Sequence, residues 1–236
     1  MTNEKPYIPE EVAFCIEEAS PSQLPFKWIV AVEGEFRSLE PRKLFGIIPM
    51  GMAEGAWTPL LEDMMDEVLR QNGRGVALLR WYSSVPERDI RRCSRLFNSA
   101  GTSYRAIAQE SSYVTLIFEL TAQNGCEIFY DVYDFAKKMG YMVYDAYVFL
   151  SKDLELDSTS AALGTKYDES RLWSDIGKKS EVVVQGGASF DVLTRTKRDA
   201  RTMAKTFAAV WANHGVKTEI EDASGTGYMN EPQTQG

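Results

Sequence analysis

Two segments 110 positions apart carry the same groups able to do chemistry. The first holds Arg88, Asp89, Arg91, Arg95 and Phe97, and the second Arg198, Asp199, Arg201, Lys205 and Phe207. On a helix, positions i, i+3 and i+7 share a face, so each copy predicts a cationic stripe with an aromatic anchor turned off it. Arg92 widens the first stripe. Guanidinium groups grip carboxylates and phosphates bidentately. The stripes therefore point to docking of an acidic protein surface, or of a nucleic acid backbone that they would position without reading bases. The competing reading is a solvated face paired with Glu87, Asp89 or the acidic N-terminal segment.

A second candidate lies on strands. If Ala77, Leu79 and Trp81 face helices, Arg80 and Tyr82 face away, joined by Arg105, Tyr113 and Phe149 from neighbouring strands. Arg and aromatic side chains on an open four-stranded sheet suit single-stranded nucleic acid, whose bases stack on rings. The strand Tyr113-Val114-Thr115-Leu116-Ile117-Phe118 lacks the Lys/Arg-Gly-Phe signature of RNA-recognition modules. Coverage of this apolar face by a second layer or in a homodimer is the simpler expectation.

Three smaller constellations point to enzymes. Glu33-Gly34-Glu35-Phe36-Arg37 is similar to the Glu-x-Glu-x-Lys strand of triphosphate-tunnel enzymes, with Arg in place of Lys; that resemblance implies metal-assisted phosphate chemistry at Glu33 and Glu35. The later strands are apolar and do not continue the pattern. Glu127, Asp131 and Asp134 share a helical face, but they alternate with Ile128, Phe129, Val132 and Tyr133 as an ordinary amphipathic helix requires. His214 is the only histidine, and no G-x-S-x-G accompanies it, so Asn213-His214-Gly215 reads as a helix end. Neither a P-loop nor a strand-G-x-G-x-x-G-helix unit is present, so no catalytic set, metal site or cofactor is assigned.

These groups are positioned by an α+β chain. Residues 75–150 read as strand, helix, strand, strand, helix, strand, the ferredoxin-like βαββαβ order. An N-terminal ββα segment (1–74) precedes it; a polar linker or lid (151–179), a ββαβ segment (180–223) and a frayed tail (224–236) follow. The terminal segments are expected to form a second, related α/β layer, with one continuous larger sheet as the alternative.

With 44% hydrophobic and 25% charged residues, the 236-residue chain has the composition of a globular protein. Three scattered cysteines indicate neither a disulfide framework nor a zinc site. No apolar run approaches the roughly 20 residues of a membrane span, so a cytoplasmic protein, cellular or virus-encoded, with no membrane partner is expected. The net charge of −8 hides segregation: residues 70–105 hold eight Arg against only Glu87 and Asp89. The whole reads as a non-catalytic binding or regulatory protein with locally cationic surfaces.

Overall fold

The computed structural model describes residues 11–19, 25–34, 58–108, 112–121, 123, 127–163, 167–186 and 191–223. The elements are β1 (Glu11–Glu18), β2 (Trp28–Gly34), α1 (Thr58–Asn72), β3 (Arg74–Tyr82), α2 (Pro86–Ala100), β4 (Tyr104–Ala108), β5 (Tyr113–Thr121), α3 (Glu127–Lys138) and β6 (Val143–Leu150). Then come α4 (Leu156–Leu163), α5 (Glu169–Arg171), β7 (Val182–Gly186), β8 (Asp191–Thr194), α6 (Lys197–Asn213) and β9 (Lys217–Asp222). A π turn (Leu172–Ile176) and a 3-10 turn (Gly177–Lys179) carry α5 on towards β7.

The strands form one open nine-stranded sheet in the order β4-β5-β3-β6-β7-β8-β2-β1-β9. This corrects the expected second layer: the terminal strands lengthen the same sheet. The outer edge of β6 offers unpaired backbone groups, and β7 satisfies them from Ala146↔Gly186 to Leu150↔Val182. All neighbours are antiparallel except β1 and β9. β1 escapes a reading from polarity because Glu11, Glu17 and Glu18 make up its ends, although Val12, Phe14 and Ile16 alternate and are buried.

Both faces of the central strands are covered. On one side Phe14, Trp81, Phe97, Phe118, Phe129, Phe207 and Trp211 join the sheet to α1, α2, α3 and α6. On the other, Val76, Leu78, Tyr147, Phe149 and Val183 lie under a strap containing Leu154, Leu156, Leu172, Trp173 and Ile176. A strand buried on both faces reads as a continuous apolar run, as Val76 to Leu79 does. The apolar sheet face expected to be covered by a second layer or a homodimer is thus closed by the chain's own strap. Gly75 marks how closely β3 and β6 approach: a Cβ there would lie 2.7 Å from Leu150 Cδ2 and 3.1 Å from the Phe149 carbonyl oxygen.

Trp173 is the strap's anchor, with ring centroids 5.5 Å from Tyr147, 6.0 Å from Phe149 and 6.2 Å from Phe26. Trp173→Ala is expected to lower stability by about 3–5 kcal/mol in urea unfolding, the usual cost of truncating a buried Trp. A loss below about 1 kcal/mol would mean that the strap rests loosely on the sheet.

Candidate functional site

α2 begins where β3 ends. Pro86 sits in its first turn, where the missing N–H costs nothing, and Gly101 in the left-handed conformation (φ 63°) ends it. Val85 caps the N-terminus without a side-chain bond. Asp89, fully buried, holds this turn instead: Ser83 Oγ donates to Asp89 Oδ2 at 2.6 Å and accepts from the Val85 N–H at 3.0 Å. In the second copy the Thr196 hydroxyl donates to Asp199 Oδ2 at 2.6 Å and accepts the Asp199 N–H at 3.1 Å. The Asp of each Arg-Asp pair therefore fixes a strand-to-helix turn. Cys93 and Phe97 anchor α2 inward, with Phe97 stacked on Tyr104 at 4.5 Å and tilted against Phe118 at 5.0 Å.

The outer side of α2 exposes Arg88, Arg91, Arg92 and Arg95. Arg88 Nε lies 3.5 Å from Asp89 Oδ1. Arg91 Nε donates to the Glu87 carbonyl at 3.3 Å, and Arg92 Nη1 lies 3.5 Å from Met139 Sδ. Among the described residues no carboxylate comes within ion-pair distance of Arg91, Arg92 or Arg95.

The second stripe differs. Arg201 pairs with Asp222 at 2.7 Å, and Lys197 reaches the same carboxylate at 2.9 Å, tying α6 to β9. Arg198 and Lys205 are exposed. β3 and β8 run in opposite directions, so α2 and α6 leave from opposite ends of the sheet. The crossover through α2 passes one strand, β5, and that through α6 passes two, β2 and β1. The sequence repeat does not become one surface.

The sheet-face residues divide. Phe149 is 1% exposed beneath Trp173 and is not available for stacking. Arg80 is held by Asp145 at 3.2 Å and lies between the rings of Tyr113 (4.4 Å) and Tyr167 (4.6 Å). Arg105 pairs with Asp157 of the strap at 2.6 Å. Tyr82 remains 46% exposed, edge-on to Tyr113 at 5.6 Å. Tyr144, which sequence reasoning missed, joins them 6.0 Å from Tyr113 at an irregularity in the β3–β6 register. Such an irregularity re-aims a side chain and leaves no mark in the composition. Burial first, then the Asp145 charge, raises the Tyr147 and Tyr167 phenols well above their usual range, so both stay neutral.

Glu35 and the Glu33 side chain lie outside the described residues. Glu127, Asp131 and Asp134 are exposed along α3, with Lys138 Nζ 3.9 Å from Asp134. Among the described residues no group of three possible ligands gathers to hold a metal. His214 Nε2 meets Asp63 Oδ2 at 2.6 Å and joins α6 to α1. No helix among the described residues is long and apolar enough to cross a membrane.

Burial, assisted by the Asp89 charge, pushes the Cys93 thiol up to about 12. Iodoacetamide at pH 8 should leave Cys93 unlabelled in the native chain and label it after unfolding, read by peptide mass spectrometry. Rapid native labelling would show that α2 lifts off the sheet. No family model, curated protein or solved structure matches this chain.

Proposed function

We propose that the protein is a non-catalytic binding protein that uses the exposed face of α2 to capture an acidic protein surface. The observation that carries this reading is the set Arg91, Arg92 and Arg95, exposed on one helix and without an ion pair among the described residues. Like charges three or four residues apart cost a helix about 0.2–0.5 kcal/mol per pair, so the stripe contributes nothing to the stability of α2. Acidic residues on neighbouring α3 favour a partner whose negative charge is as narrow as one helix face. A long polyanion lying across both helices would meet Asp131 and Asp134 as well. The support beneath α2 reads as a ferredoxin-like unit: β3-α2-β4-β5-α3-β6 in the strand order β4-β5-β3-β6, with both helices packed on one side.

The test uses immobilised poly-glutamate, with single-stranded oligonucleotide as a second ligand. Retention on poly-glutamate should fall steeply with salt. It should be lost in R91E/R92E/R95E, with the thermal midpoint nearly unchanged, and kept in R201E/K205E. Retention that survives the triple change, or stronger retention on the oligonucleotide, would overturn the reading.

A further inference from the structure

Beside the cationic stripe of α2 runs an anionic one on α3, and the two match in level. α2 descends from the end of β3 and α3 rises from the end of β5; because β3 and β5 are antiparallel, so are the helices. Phe97 of α2 and Phe129 of α3 both pack on Phe118, at 5.0 and 6.4 Å, which brings these two turns to one ring, and further along Arg92 Nη1 reaches Met139 Sδ at 3.5 Å. Counting outward at about 1.5 Å per residue, Arg95 lies two residues above Phe97 and Asp131 two above Phe129. Arg92 lies five above Phe97 and Asp134 five above Phe129, with Arg91 one further. All five side chains are exposed. Arg88 is the exception, since it falls level with Lys138.

A two-fold axis parallel to the helices keeps height and exchanges left with right. It lays α2 of one copy on α3 of the other twice over, with Arg95 against the partner's Asp131 and Arg91 against the partner's Asp134, while Arg92 turns to Met139 of its own chain, just past α3. An axis perpendicular to the helices would set Arg on Arg. Closed two-fold contacts require one patch that complements itself, and neighbouring stripes of opposite sign at equal heights are such a patch. We infer that the acidic surface captured by α2 is α3 of a second copy of this chain, giving a homodimer through the α2–α3 face. The inference rests on the α2 reading above and names its partner. The contact is mostly charged, so the dimer is weak and salt-sensitive.

Sedimentation equilibrium of the full chain tests it. Wild type should self-associate at about 0.05 M salt, with association weakened about tenfold or more by 0.5 M. R91E/R92E/R95E alone and D131K/D134K alone should each be monomeric, because each then carries one sign at the matched positions of the two helices. Mixed in equal amounts they should form a heterodimer, a rescue that damaged folding cannot produce. Three results would overturn the homodimer: wild type monomeric at low salt, association unchanged by either reversal, or no rescue on mixing. If wild type is monomeric yet held on poly-glutamate through α2, the docking reading stands and its partner is another protein. If retention is absent as well, both fall.

Discussion

The central strands of this sheet are apolar on both faces, and every other feature follows from having to cover them twice. Helices lie on one side, anchored by Phe97, Phe129, Phe207 and Trp211, and the strap lies on the other, anchored by Trp173. Each fully buried aromatic side chain contributes about 1.5–3 kcal/mol, so inward positions are fixed by hydrophobic burial. Charge is left to the outer surfaces. On the strap side it is largely consumed internally, as Arg80 with Asp145 and Arg105 with Asp157 show. On the helix side α2 keeps its cations.

The two copies of the basic pattern show how context decides what a motif does. Both contain an Asp that fixes a turn and an aromatic ring that enters the core. In α6 two of the outward cations, Lys197 and Arg201, converge on Asp222 of the neighbouring strand, which makes them part of the fold. In α2 the carboxylates at the same level belong to α3 and point to solvent. Surface ion pairs are worth about 0–1 kcal/mol, so neither arrangement is demanded by stability. The difference lies in what remains available to a second molecule.

Much of the fold was legible because the segment from β3 to β6 combines short apolar runs of strand length, Pro86 at a helix start and Gly101 and Gly140 at helix ends. The strap was not, because Leu154, Leu156, Leu172, Trp173 and Ile176 are separated by polar runs with no fixed period. For that reason the cover of the far sheet face was sought in a second layer or a homodimer, and Phe149 stayed a candidate for stacking. The cationic residues of α2 were legible from their spacing alone. That Arg201 is spoken for was not, since its partner Asp222 arrives only through the parallel pairing of β9 with β1. The level match between α2 and α3 was equally hidden, because it depends on two helices meeting over Phe118.

The central claim is that Arg91, Arg92 and Arg95 stand on the surface of a single chain without an ion pair among the described residues. Phenylglyoxal footprinting of dilute protein, read by peptide mass spectrometry, tests it most directly. The account predicts fast modification at these three positions and slow modification at Arg80 and at Arg195, whose guanidinium is bonded to the Ser180 and Lys178 carbonyls. Protection of the α2 arginines equal to that of Arg195 would contradict it.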